Sequence, residues 1–330
     1  MATFNQIRGT LIKDVSGNPS NTRDGDIWYN STSGKLTIHK VGGTWSAGNA
    51  CNTARRYFQG CGTQTDGIMA GGFNPGASPS PMFVATEEFN GSTFANGGNL
   101  GTGTYAGTMF GPGTNTVFAG GGDNSSFLLT SFEYNGSAWT ASSGNLPDAR
   151  NAAGGCGTQT AGVLAGGNKP SADETESLEY NGSWTAVPGV LNTGRRSLNG
   201  SGTGTQTACI IAGGYIDGSA GYTGASEEYN GASWTSTPSL NTPRGNMAMN
   251  SGGTTTSAIV AGGSEPAASV ATEYYDGSSW ATVGSLGSAR YQAGAGGTGT
   301  EMWVGAGGPL SPGLTSETFS LTTTQAVTTT

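Results

Sequence analysis

The sequence predicts an all-β chain, a six-bladed β-propeller closed by an N-terminal strand, with a small N-terminal β-hairpin segment. Three observations carry this expectation. An Ala-Gly-Gly recurs at 70–72, 119–121, 165–167, 212–214, 261–263 and 306–308, with spacings of 49, 46, 47, 49 and 45 residues. A period in that range belongs to propeller blades. Five of the six are followed by a unit of Glu, an aromatic, Asn-Gly or Asp-Gly and a second large aromatic, at 87–94, 131–139, 179–184, 227–234 and 273–280. Finally, Trp45 stands ahead of the first Ala-Gly-Gly, while the last unit stops at Ser316-Glu317-Thr318-Phe319-Ser320 and has no closing Trp. A strand from the N-terminus therefore completes the blade left unfinished at the C-terminus, which removes the open edge of the array.

Taken in order, residues 1–22 have weak periodicity and polar turn signals and read as a loosely structured arm or docking segment. Residues 24–45 alternate on both sides of Ser31-Thr32-Ser33-Gly34, the pattern of a β-hairpin. The expected division is an arm and hairpin for attachment at 1–40, a propeller at 41–320 with 41–50 completing the last blade, and a tail at 321–330. Within one unit the first strand opens at Arg and runs through small residues, as at 146–155. A Gly-Thr-Gln-Thr turn follows at 62–65, 157–160 and 204–207, then an apolar strand ending in Gly-Gly. The third strand bears Glu-Tyr. Asn-Gly then suits a type I′ turn with positive φ at both residues, and the fourth strand bears Trp. Small residues fit the crowded innermost position, and Trp45, Phe94, Trp139, Trp184, Trp234 and Trp280 fill the wider wedge between blades.

Composition narrows the function. Only 10% of residues are charged and the net charge is −8, with no Lys/Arg stripe to neutralise phosphates, so nucleic acid is not an expected partner. No apolar run is long enough to cross a bilayer, and the first residues lack the order of a signal peptide. The four cysteines, Cys51, Cys61, Cys156 and Cys209, read as free, small core-filling thiols, because Cys61 and Cys156 occupy the same slot of two different units. No two lie at metal-ligand spacing, and no cofactor is expected.

The start-of-strand Arg, Gly-Gly, Tyr and spaced Trp resemble the kelch repeat over roughly residues 42–320. The second unit departs from the pattern, with Gly103-Thr104-Tyr105-Ala106 at its start and Phe94 before it. Uniform Asn-Thr-Ala-Arg-Arg, Gly-Thr-Gln-Thr and Glu-Glu-Tyr-Asn-Gly units, after the N-terminal Asp24-Gly25-Asp26-Ile27-Trp28-Tyr29-Asn30 segment, are similar to kelch-type structural proteins of marine bacteriophages. This resemblance implies a virion protein of tail, fibre or appendage, made in a host cytoplasm. It would be oligomeric, joined to other virion proteins through its N-terminal segment, and would present a face to a host glycan or protein. A bacterial carbohydrate-binding adhesin and a capsid decoration protein are the alternatives.

The candidate binding face comprises Arg55, Arg56, Arg150, Arg195, Arg196, Arg244 and Arg290 at the start of the innermost strands, with Phe73, Asp123, Lys169, Tyr215, Tyr222 and Glu265 in the loops after Gly-Gly. Arginines ringing one channel mouth suit carboxylate or sulfate groups; the other reading pairs each with Glu or backbone carbonyls of a neighbouring blade. Tyr215, Tyr222 and Phe73 are the candidate sugar platforms. No catalytic residues are expected. The paired acids Glu87-Glu88 and Glu227-Glu228 recur on the outward part of the blade and not in one cleft, and His39, the single histidine, lies in the N-terminal hairpin.

Overall fold

The computed structural model describes residues 12–19, 25–198, 202–218, 221–309 and 313–327. The arm expected at 1–22 therefore falls largely outside the described residues. Among the described residues all regular structure is β. Two compact units emerge, Thr44–Ser320 and a smaller one of Met1–Gly43 with Leu321–Thr330.

The large unit contains five four-stranded antiparallel sheets, each built from consecutive segments of one repeat. Blade 1 has Gln59–Gly62, Gly67–Ala70, Thr86–Phe89 and Phe94–Asn96; blade 2 has Thr108–Phe110, Thr116–Ala119, Ser131–Tyr134 and Trp139–Ala141. Blades 3, 4 and 5 repeat the order and end on the strands Trp184–Val187, Trp234–Thr237 and Trp280–Thr282. A sixth sheet carries Gly294–Gly297, Glu301–Gly305 and the start of Ser316–Val327. Its outermost position in this unit is filled by residues 44–47, the end of the N-terminal strand Lys35–Ala47. Gly48 and Cys51 donate backbone bonds to Ser316 and Leu314, as the closing strand requires.

Innermost strands touch between blades 1 and 2, 2 and 3, 3 and 4, and 5 and 6. Thr203 of blade 4 bonds to Asn250 of blade 5, and the first strand of the sixth sheet meets that of the first. The array is therefore a ring. Buried apolar clusters fill seams between neighbouring blades, for example Phe110, Val117, Leu164, Leu178, Tyr180 and Trp184 between blades 2 and 3. An aromatic buried in this way contributes on the order of 2–3 kcal/mol.

Polar residues of the repeat tie the same seams. Trp139, Trp184 and Trp234 donate Nε1–H to Thr86, Ser131 and Ser177 of the preceding blade at 2.8 Å, and Trp45 does so to Thr272 at 3.0 Å. Gln64, Gln159 and Gln206 of the Gly-Thr-Gln-Thr turns each donate to two backbone carbonyls of the preceding blade. The hydroxyls of Tyr134, Tyr180 and Tyr229 donate to Glu88, Glu133 and Glu179.

Inside the ring runs a second closed circuit. Tyr57, Ala106, Ala152, Ser197, Asn246 and Gln292 occupy one slot of the six units, all with φ between 52° and 59°. Tyr57 N–H donates to Gln292, Ala106 to Tyr57, Ala152 to Ala106, Leu198 to Ala152, Asn246 to Ser197 and Gln292 to Asn246, at 2.6–3.1 Å. Left-handed backbone costs a non-glycine residue roughly 1–2 kcal/mol, and these bonds hold it in place.

Four sequence expectations change. The Asn-Gly turns are not type I′: Gly91, Gly136, Gly182, Gly231 and Gly277 have positive φ, but the preceding Asn or Asp does not. Strand pairing stops at the aromatics, as in Tyr134↔Trp139, so the loop is longer than two residues. Asn90, Asn135, Asn230 and Asp276 cap it by accepting two backbone N–H groups each. In the last unit Gly305 pairs with Ser316 as Ala261 pairs with Thr272. The Ala-Gly-Gly slots are thus Gly305-Ala306-Gly307, one residue earlier than the sequence match. Cys156 and Cys209 form a disulfide with Cα atoms 6.3 Å apart. They come from adjoining strands of neighbouring blades and share one buried cluster; Cys51 and Cys61 are free and buried. Lastly, the segment expected as a tail continues the strand Ser316–Val327.

The small unit has Lys13–Val15 parallel to Ile27–Asn30, which pairs antiparallel with Lys35–Ala47. Trp28 and Asn30 are buried and both donate to Asn18 Oδ1.

Candidate functional site

The arginines of the repeat are interior. Arg55, Arg150, Arg195, Arg244 and Arg290 are at most 3% exposed, which removes them from the candidate binding face. Each pairs with a glutamate of its own blade: Arg55 with Glu87 at 2.8 Å, Arg244 with Glu273 at 2.5 Å, Arg290 with Glu317 at 2.6 Å, and Arg150 and Arg195 with Glu176 and Glu227. Except for Glu176, each glutamate is the second residue of its third strand, near the Gly-Gly corner. The guanidinium groups of Arg55, Arg150, Arg195 and Arg290 also reach corner carbonyls. Arg55 donates to Gly71 and Ala85, and Arg290 to Ala306 and Thr315. Burial pulls Arg55 and Arg195 below the usual guanidinium range, and the partner carboxylates pull them back.

Blade 2 lacks both partners. Thr104 fills the Arg slot, buried and bonded to Gly122, and Phe132 fills the Glu slot. In blade 3 Leu178 takes the Glu slot, and Glu176 reaches the arginine from outside the strand. The paired acids separate accordingly: Glu87 and Glu227 hold arginines, while Glu88 accepts from Tyr134. Glu87 and Glu88 thus have separate partners.

The second arginine of each doublet does reach the surface. Arg196 pairs with Asp173 and Asp217 at 2.8 and 3.1 Å and lies over the Tyr215 ring, 5.0 Å from its centroid. Tyr222 packs edge-on to Tyr215 and accepts from Ser264. These tyrosines are therefore engaged and do not offer an open platform. Lys169 is likewise engaged, with Asp148 and Glu176 at 3.0 and 3.2 Å and Glu174 at 3.5 Å. Glu265 is half-buried, in the loop that follows Ser264.

The other side of this face is different. Arg56 lies over Tyr57 and Phe73, 5.7 and 5.9 Å from the ring centroids. A cavity of about 300 Å³ opens beside them, lined by Tyr57, Phe73, Met82, Tyr105, Asp123 and Asn124. Asp123 Oδ1 accepts from the N–H groups of Ser125 and Ser126 at 2.7 and 2.8 Å, which hold its carboxyl below the usual carboxylate range. Sequence reading found Phe73, Arg56 and the loop pair Asp123-Asn124 but not Tyr57, Met82 or Tyr105 as part of a site. Tyr57 and Tyr105 sit in slots whose residue changes from unit to unit, Tyr105 aligning with Arg56, Asn151, Arg196, Gly245 and Tyr291, so the repeat carries no signal for them. A second cavity, about 740 Å³, lies between the loops of blades 3 and 4, with Asp173, Asn192, Thr193 and Asp217 on its walls. Among the described residues no group of three His, Cys, Asp or Glu side chains is placed to hold a metal ion.

No protein-family model matches the chain, and no curated protein matches it. Among solved structures it is similar to that of YjhT, at 13% identity and a TM-score of 0.64 over 84% of this chain and 99% of that one. At such low identity the likeness concerns architecture alone. The fold is a β-propeller. Its five self-contained antiparallel sheets agree with that architecture.

Proposed function

We propose that this propeller is a non-enzymatic structural protein of a bacteriophage virion, in the tail, a fibre or an appendage, that binds through its loop face. The observation that carries the binding role is a division of labour among residues. The repeated polar side chains, Arg, Glu, Tyr, Trp and Gln, are consumed in holding blades together. The residues that differ between units are concentrated in the loops after Gly-Gly, where the clefts open. Loops on a rigid scaffold are the usual place for recognition.

The virion assignment rests on the kelch-type repeat style and the N-terminal segment that resemble marine phage proteins. In this reading the chain is made in the host cytoplasm, and residues 1–40 attach it to other virion proteins. The partner of the loop face is a host-surface glycan or protein. Deleting residues 1–40 is expected to abolish incorporation into particles while circular dichroism shows the β-fold kept. Recovery of the truncated chain in particles at the full-length amount would overturn the anchoring role.

A further inference from the structure

We propose that the cleft between the loops of blades 1 and 2 is a binding site for a short neutral saccharide. This rests on the loop face being the binding face. The cleft is a double one. The cavity walled by Tyr57, Phe73 and Met82 shares Tyr105, Asp123 and Asn124 with an adjoining cavity of about 320 Å³, which Ser125, Ser126, Phe127 and, from blade 3, Pro170 complete. Each lies near the lower end of the volumes that small-ligand sites use, roughly 300 Å³.

Its chemistry is aromatic walls with polar groups at the rim. Tyr105 meets Tyr57 at 64° and Phe73 at 58°, with centroids 5.9 and 6.1 Å apart. Rings at such angles touch by edges and do not stack face to face. The faces of Tyr57 and Phe73 already carry the Arg56 guanidinium. Tyr105 carries no such cation, and its ring can take the C–H face of a sugar.

Asp123 is ionised at neutral pH, and its turn bonds all fall on Oδ1. Oδ2 is left as an acceptor for a hydroxyl. The Asn124 amide supplies both a donor and an acceptor beside it. One cation, Arg56, and one anion, Asp123, flank the cleft, so their charges cancel. A strongly anionic ligand would meet Asp123 in a chain of net charge −8, and a cationic one would meet Arg56. A ligand rich in hydroxyls and without charge satisfies both.

The test uses the full chain on an array of neutral di- and trisaccharides of hexoses and N-acetylhexosamines, followed by titration calorimetry of any that bind. Binding is expected, weakened at least tenfold by Tyr105→Ala and by Asp123→Asn, and unchanged by Tyr222→Ala. Asp123→Asn keeps an oxygen for the Ser125 and Ser126 N–H groups, so the loop stays folded; thermal melts of each variant check this. A flat array, binding indifferent to both cleft variants, or a preference for Arg- or Lys-containing peptides would each overturn the assignment. Particle incorporation is independent of the cleft. A chain found in virions that binds no saccharide refutes the site alone, and one that binds saccharide but is absent from virions refutes the virion reading alone.

Discussion

At the scale of residues, the Arg–Glu pair is a device for the Gly-Gly corner. Where it reaches the corner, its guanidinium adds bonds to carbonyls such as those of Gly71 and Ala306, and the glutamate neutralises it. Arg244→Thr leaves Glu273, 1% exposed, as an unpaired buried charge, and is expected to cost about 3–5 kcal/mol. Adding Glu273→Gln should recover part of that, with a coupling of about 1–3 kcal/mol; denaturant midpoints of the two single variants and the double would measure it. Blade 2, with Thr104 and Phe132 in the two slots, is the natural precedent for losing both. Ala306 shows the opposite case. It stands at φ 50° where the other five units have glycine at 66–71°. Ala306→Gly is expected to raise stability by up to about 1 kcal/mol, because relief of left-handed strain exceeds the entropy that glycine adds to the unfolded chain. Gly262→Ala should do the reverse, since its Cβ would lie 2.5 Å from the Arg290 carbonyl oxygen.

At the scale of elements, the seams between blades are pH-dependent in a definite direction. Burial, reinforced by Glu88, Glu179 and Glu228, pushes Tyr134, Tyr229 and Tyr275 up to about 12. The folded state thus holds these protons after the unfolded chain, at about 10, has lost them. Their contribution is complete below pH 10 and is lost as pH rises toward 12. Melting temperature is expected to fall across that window, and to fall less in a variant with the three tyrosines replaced by Phe.

The blades themselves were legible in the sequence because their signals repeat: Gly-Gly corners, Glu-Tyr strands and the displaced Trp45 fixed both the unit and its closure. Turn geometry was not. Asn-Gly reads as a two-residue turn, and only the Tyr134↔Trp139 pairing shows that the asparagine acts as a side-chain cap. The arginines were found, and pairing with Glu or carbonyls stood as one of two readings, but the partner is in the arginine's own blade and not in a neighbouring one. A repeated charged residue looks alike in sequence whether it faces solvent or a glutamate two strands away. The cleft was half legible, since Tyr57 and Tyr105 stand outside the repeat's pattern and only the fold brings them to Phe73 and Asp123.

At the scale of the molecule, three rings of interaction are concentric. The left-handed circuit from Tyr57 to Gln292 links the blades at the axis, apolar clusters fill the seams, and Trp, Tyr and Gln bonds tie the periphery. Such a body is a rigid platform for loops, which suits a part assembled into a larger particle and exposed to a surface. The N-terminal strand's last residues lie beside the C-terminal strand in the sixth sheet, so both chain ends take part in closure. The most direct test of the whole account is quantitative peptide mass spectrometry on purified virus particles from the source sample, scaled to the major capsid protein. This chain is expected at a few to a few dozen copies per particle, the stoichiometry of a tail or fibre part. Hundreds of copies would point to capsid decoration instead, and its absence from the particles would contradict the virion role.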